Sequence, residues 1–417
     1  MAIHITGAPC CWGVDDVKNP YLPPWQKVLY EAGQAGYKAI ELGPYGYLPL
    51  DIDVVSEELA KNNIGIVAGT IFDDLLDEGN YENVLHQVDD ICGIITKLPK
   101  LPTEPGQRYP APYLTVMDWG HDERDYNAGH SDRAPRLSDE DWNRMMSHIK
   151  GIAEKAASWG VRAVVHPHAG GYIEFADEID KLARDIPKEV AGLCLDTGHL
   201  RYSGMDPVTW LRKYADRLDY IHFKDIDEKI YRQVLSEHIR FFEGCGKGSM
   251  CPIGTGMLDY PVIYKVLTEE IHYNGYITVE QERAGKAPKD HRHNNTPIPS
   301  DFAVLLGQGQ IVLVGQGLHG AVRLQLVKGG IHGGGRVAAL AEGHAVLLGV
   351  QLVLDGEVCV VGALADHGRG QRQVKDGGVR SPGGHLHQAV GLDRLCDVVG
   401  LREVGVLGDG GLACRTG

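Results

Sequence analysis

Apolar residues over the first 297 positions recur in two rhythms. Short runs that alternate or stay apolar predict strands at 3–9, 38–42, 64–70, 113–117, 163–168, 191–196, 218–224 and 276–281. Between them lie stretches with helical spacing, for example 51–62, 81–97, 139–159 and 175–185. Some of these carry start signals: Ser138 with Asp141 three residues on, and Asp206-Pro207 opening the stretch to Tyr214. Eight strands alternating with helices predict an α/β fold with a parallel sheet, and eight strands close a (β/α)8 TIM barrel. A doubly wound open sheet is the competing arrangement, but no Gly-x-Gly-x-x-Gly loop follows the first strand.

Both rhythms stop near residue 297. Every Trp and Tyr precedes that point, and Phe302 is the only Phe, Trp or Tyr after it. Residues 298–417 hold half of the 54 glycines, in Gly-Val-Leu runs without clear period, caps or a fixed repeat. The stretch 284–299 lacks the amphipathic pattern of the helix that should close the barrel after its eighth strand, so that helix is expected to be missing. Three readings of this atypical tail stand side by side: a β-rich appendage, a disordered tail, or residues translated from a shifted reading frame. The composition, rich in Gly, Val, Leu and Arg with no Tyr, Trp or Met, favours the last. The expected division is therefore a barrel over 1–297 and a separate tail over 298–417.

At 43% hydrophobic and 23% charged residues, the 417-residue chain has an ordinary globular composition. The tail has 10 Lys+Arg and 10 Asp+Glu, so the whole formal net charge of −15 belongs to residues 1–297. Such a charge argues against nucleic acid or an anionic membrane as partner. No apolar run approaches the roughly 20 residues of a membrane span, and no secretory signal opens the sequence. Nine cysteines are scattered singly apart from Cys10 and Cys11, and Cys245 and Cys251 lack a second pair to complete a zinc site. Reduced thiols in a cytoplasmic protein are expected; a homo-oligomer is compatible with all of this.

The chemistry emerges from side-chain direction. Residues two apart on a strand share a face. With Val165, Ile221, Phe223, Ile277, Val279, Ile40 and Leu42 turned outward to helices, His166, His168, His222, Lys224, Glu280, Glu282 and Glu41 face the barrel axis. Asp196 ends its strand facing inward, and His199 follows on the loop. A single inward histidine is usually a hydrogen-bonded structural residue. Several strands delivering ionisable groups to the rim where barrel enzymes build their sites is harder to explain structurally. Burying such groups together is costly unless they pair or bind a metal. His166, Asp196, His222 and Glu280 form a mixed nitrogen and oxygen set suited to a divalent Mn, Zn, Fe or Co ion rather than to Mg or Ca. Such an ion would act as a Lewis acid toward the oxyanion formed when a neighbouring C–H proton is removed.

These residues stand in recognisable motifs. They are Trp12-Gly13, Ile40-Glu41-Leu42-Gly43, His166-Pro167-His168-Ala169-Gly170, Leu195-Asp196-Thr197-Gly198-His199-Leu200, His222-Phe223-Lys224-Asp225, Pro252-Ile253-Gly254-Thr255-Gly256-Met257-Leu258-Asp259 and Val279-Glu280-Gln281-Glu282-Arg283. In this order, over residues 1–285, the chain resembles the xylose-isomerase-like sugar isomerase/epimerase superfamily, and within it the inosose dehydratases. The resemblance implies a divalent metal, manganese first, and a ketone substrate of keto-sugar or keto-cyclitol type. For inosose dehydratases it implies proton removal beside the ketone and departure of a β-hydroxyl. Epimerases of the superfamily usually have Glu where His166 stands, so the substitution points from epimerase toward lyase. The DNA-repair members need several zinc ions and a basic surface, against which the charge speaks.

The expected roles follow. His166, Asp196, His222 and Glu280 hold the metal, and Glu280 doubles as base; His168, His199, Lys224 and Glu41 orient substrate hydroxyls or serve as general acid. A sugar isomerase or epimerase, and a non-catalytic sugar-binding barrel, are the alternatives. A stoichiometric metal would exclude the last.

Overall fold

In a computed structural model, residues 3–14 and 16–281 are described throughout, and beyond them only the backbone of strands between Phe302 and Thr416. The chain divides into two units, Met1–Asn294 and Asn295–Gly417.

The first unit is an eight-stranded closed barrel. Its strands are β1 (Ile3–Gly7), β2 (Ala39–Glu41), β3 (Gly65–Asp73), β4 (Tyr113–Asp118), β5 (Arg162–Val165), β6 (Gly192–Asp196), β7 (Leu218–Phe223) and β10 (Gly275–Val279). A short antiparallel pair, β8 (Asp225–Ile226) with β9 (Met250–Cys251), lies in the connection between the last two. All neighbouring barrel strands are parallel, and β10 pairs with β1 to close the ring. The helices are α1 (Trp25–Gln34), α2 (Ile52–Asn62), α3 (Tyr81–Ile95), α4 (Asp122–Tyr126), α5 (Asp139–Ser158), α6 (Ala176–Asp185), α7 (Thr197–Tyr202), α8 (Pro207–Lys213), α9 (Glu228–Ser236), α10 (Phe241–Gly246) and α11 (Tyr260–Lys265). Among the described residues no helix is long and apolar enough to cross a membrane.

The period-2 reading of the strands holds. Ala39, Tyr113, Val164, Cys194, Tyr220 and Tyr276 meet in one buried cluster inside the barrel. One step further along the same faces come the polar residues, beginning with Thr6 and Thr278, whose hydroxyls lie 2.6 Å apart. Ile40, Val165, Ile221, Ile277 and Val279, turned the other way, are also buried. The caps expected from sequence are present: Ser138 Oγ accepts the Asp141 amide at 3.1 Å, and Asp206 accepts that of Thr209 at 3.0 Å.

Several strands stop earlier than the apolar runs suggest. β1 ends at Gly7 because Pro9, without an amide donor, opens a 3-10 turn. β5 ends at Val165, so His166 and His168 belong to the loop after the strand. The stretch 284–299, where the closing helix is expected to be missing, and Glu282 fall outside the described residues.

In the second unit the described backbone consists of antiparallel strands. β11 (Phe302–Leu306), β12 (Gln310–Gly317), β13 (Gly320–Leu326) and β14 (Val337–Leu340) form a four-stranded sheet. β15 (Leu347–Leu354) pairs with β16 (Glu357–Leu364), β17 (Gly378–Arg380) with β18 (Leu386–Gln388), and β19 (Leu401–Val406) with β20 (Leu412–Thr416).

Candidate metal centre at the barrel mouth

The eight side chains singled out from sequence converge at the C-terminal ends of the barrel strands. Register brings the first ones together: Asp196 of β6 and Thr278 of β10 both lie opposite His222 of β7. The imidazole of His222 is 4.9 Å, centroid to centroid, from that of His166. One ligand atom from each of His166, Asp196, His222 and Glu280 can be chosen so that all lie within 4.8 Å of one another. His166, Asp196 and His222 are buried, while Glu280 is partly open.

These residues fit a metal for a reason beyond proximity. Neither ring nitrogen of His166 has a hydrogen-bond partner among the described residues, although both are buried. His222 Nδ1 stands 3.0 Å from Glu280 Oε2 but off the line a hydrogen bond needs. Buried polar atoms without partners are uncommon and call for an occupant. Cys194 also approaches His166 and His222. Burial pushes its thiol up to about 11.

Lys224 and Glu41 complete the electrostatics. Lys224 Nζ donates to Asp196 Oδ2 at 2.9 Å and forms a short contact with Glu280 Oε2. Burial opposes ionisation of both carboxylates. For Asp196 the Lys224 charge, together with His199 and His166, outweighs it, and for Glu280 the His222 and Lys224 charges do, so both sit below their usual range. Burial, helped by the His222 and Lys224 charges and opposed by Asp196, pushes His166 down to about 4, leaving it neutral. For His222 burial is overcome by Cys194, Glu280 and Glu41, which hold it well above its ordinary value. Glu41 lies on the far side of that ring: its Oε1 is 2.9 Å from His222 Nε2 and accepts the Tyr220 hydroxyl at 2.8 Å. A carboxylate there fixes the ring's orientation and leaves Nδ1 for an ion.

His168 and His199 form a second pair, ring centroids 4.0 Å apart, beside His166. Asp196 caps α7, accepting the His199 amide at 2.9 Å, and His199 Nδ1 accepts the Ala169 amide at 3.1 Å. Aromatic rings back this pair: Phe72 and Phe241 each lie 5.2 Å from His168, and Phe241 lies 5.1 Å from His199.

Other residues in the same motifs prove to be the scaffold of the site. Thr197 Oγ1 lies 3.0 Å from both the carbonyl and the amide of Lys224, and Tyr260 donates to the same carbonyl at 2.8 Å. Gly198 is required because a Cβ there would lie 2.4 Å from Lys224 Cβ. Asp225 gathers the amides of Gly254, Gly256 and Leu258, pinning the glycine-rich loop before α11. Asp74, Asp118 and His121 also approach one another, but those carboxylates accept the amides of Leu75, Leu76, Asp77 and Tyr172, so the cluster holds loops.

Comparison with known proteins bears on the family and the fold. An inosose dehydratase of Clostridium botulinum (strain Alaska E43 / Type E3) is 28% identical over 287 residues, 67% of this chain and 90% of its own. One from Geobacillus kaustophilus (strain HTA426) is 29% identical over 287 residues, 66% of this chain and 86% of its own. Among solved structures, the probable 3-DHS dehydratase AsbF of Bacillus anthracis has a TM-score of 0.50 at 14% identity, covering 69% of this chain and 95% of its own. The IOLI protein with a bound zinc atom has the same score and identity, covering 69% and 91%. At such identity the two structures speak for the fold alone. The description "Xylose isomerase-like TIM barrel" matches residues 29–305, and the chain belongs to that family.

Proposed function

We propose that this protein is a divalent-metal-dependent dehydratase of a keto-cyclitol or keto-sugar. That it is an enzyme of the lyase or isomerase/epimerase group stands on its curated relatives, which are inosose dehydratases. The observation that carries the finer reading is the four-residue cluster in which the two buried nitrogens of His166 have no hydrogen-bond partner among the described residues, Nε2 standing 3.7 Å from Asp196 Oδ2. His166, Asp196, His222 and Glu280 would hold the ion. Bound there, it supplies Lewis-acid polarisation of a substrate ketone oxygen. Manganese is the ion first expected, and the zinc of the IOLI neighbour suits the same donors.

The protein's own groups do the rest. Glu280, paired with His222 and Lys224, serves best as a ligand, because a carboxylate held so far below its ordinary range is a weak base. Proton removal beside the ketone falls to the His168–His199 pair. As that C–H bond breaks, the β C–O bond breaks too, and the hydroxyl leaves as water with a proton from Lys224. The carbon product is an enol conjugated to the carbonyl, or its diketone tautomer. An imidazole at 166, where a second carboxylate would serve an epimerase, favours this reading over sugar isomerisation.

The test is metal analysis followed by assay on 2-keto-myo-inositol. About one ion per chain and an ultraviolet-absorbing product with water lost are expected. Mass-neutral conversion of ketoses alone would establish the isomerase, and a chain that takes up no ion would overturn both.

A further inference from the structure

The loops that follow β4 and β7 meet above the site, although β5 and β6 separate those strands in the barrel. Arg240 Nη1 lies 2.6 Å from Asp122 Oδ1 and 3.2 Å from Asp125 Oδ2, and the Phe241 amide donates to Asp125 Oδ1 at 3.1 Å. Further out, Arg133 Nη1 lies 2.8 Å from His238 Nε2, and the His130 ring stacks on that of His238 at 4.7 Å. An exposed ion pair contributes little on its own. Here it sits over a buried one-sided aromatic layer. Phe241 packs on His168, His199 and Tyr202. Phe242, beside it, stands edge-on to Trp119 at 4.9 Å and lies 6.4 Å from Phe72 and 6.2 Å from His168. Phe241 is buried, whereas Phe242, Trp119 and Phe72 each keep part of their surface uncovered.

We infer that α10 is a roof over the His168–His199 pair, clasped by Arg240 to Asp122 and Asp125, and that Phe242 is a specificity-determining residue whose ring takes the C–H face of a cyclic substrate. Ring polyols carry hydroxyls round their edge and C–H bonds on their faces. The edge suits the histidines, Lys224 and the bound ion. The face needs an apolar surface that excludes water, which aromatic rings provide. Phe242, contributed by the roof itself, shares that apolar surface with Trp119 and Phe72, whose rings also lie beside His168. The choice of substrate rests on the function proposed above; the roof does not.

Two measurements on the metal-loaded full chain test this. With 2-keto-myo-inositol, Phe242→Leu keeps bulk but loses the aromatic face, and should raise KM about tenfold with kcat changed less than about threefold, while Phe242→Trp keeps both near wild type. Without substrate, Arg240→Ala and Phe242→Ala should speed labelling of His168 and His199 by diethyl pyrocarbonate several-fold, read by peptide mass spectrometry, with exposed His86 unchanged as the internal control. An unaltered KM in Phe242→Leu overturns the specificity role, and unaltered labelling overturns the roof. A wild-type protein inert toward 2-keto-myo-inositol removes the proposed substrate and the role of Phe242 with it, and the labelling then decides the roof alone.

Discussion

Glu41 shows how a buried carboxylate can govern a site from behind it. Its oxygen meets His222 Nε2 and the Tyr220 hydroxyl, so the ring cannot turn without costing the buried Glu41 its imidazole partner. Such outer partners typically tune metal affinity by about 10–100-fold. Glu41→Gln is therefore expected to weaken metal binding by about that factor with little change in fold, measured by competition with a chelator. An affinity within about twofold of wild type would assign Glu41 a purely structural part. The charge on His222 gives a pH dependence. Cys194, Glu280 and Glu41 raise its pKa well above the ordinary value despite burial, so in the metal-free protein it carries a proton at neutral pH. A ligand imidazole must be neutral, so metal binding should release about one proton per ion at pH 7. Affinity then falls as pH falls, since protons compete for the same nitrogen, and levels off only above the raised pKa of His222. Without metal the sign reverses: the stabilising contacts of the charged ring are fully present at low pH and are lost as pH rises through that value. Calorimetry in two buffers of different ionisation enthalpy counts the proton, and zero release would mean that His222 is already neutral.

At the scale of elements, alternation along strands accounts for what could be read in advance. Val164 and His166, Cys194 and Asp196, Tyr220 and His222, and Tyr276, Thr278 and Glu280 each share a face, so one apolar residue inside the barrel predicts the polar one above it. That rule needs only neighbours in sequence. It could not reveal the partner of Glu41, which is 181 residues away, nor the meeting of α4 with α10, which depends on loops crossing the mouth. It also ran past the ends of β1 and β5, where proline breaks the strand and the loop, rather than the ladder, directs His168. Gly198 stands between these cases. Its place in a motif was visible, but the reason lies in the approach of α7 to Lys224, where a methyl group would meet Lys224 Cβ at 2.4 Å. Gly198→Ala must push α7 and the end of β7 apart, an overpacking cost of about 1–3 kcal/mol. Because Asp196 caps α7 and Lys224 directly follows β7, metal occupancy should fall together with thermal stability. Loss of stability with full occupancy would separate the packing from the site.

For the whole molecule the open matter is where the barrel's sequence ends. The relatives are matched over about nine-tenths of their own length by two thirds of this chain, and the family match stops at residue 305. Residues 298–417 therefore add length that the relatives' architecture does not call for. Aromatic residues, charge imbalance and helical spacing all disappear at this same boundary, and so does the pattern of the helix that should follow β10. A domain appended after a complete barrel accounts for the first three losses but leaves the helix unexplained. A shifted reading frame inside the last segment accounts for all four, since the register error erases the helix and everything after it; this is the reading we propose for the tail. Replacing residues 284–417 with an amphipathic helix should then leave metal binding intact and raise Tm by about 2–4 °C for each kcal/mol recovered, with better solubility. Sequencing the transcript across codons 280–300 is the direct check. An intact frame there, together with a protease-resistant fragment spanning 300–417, would instead establish the tail as a second folded domain.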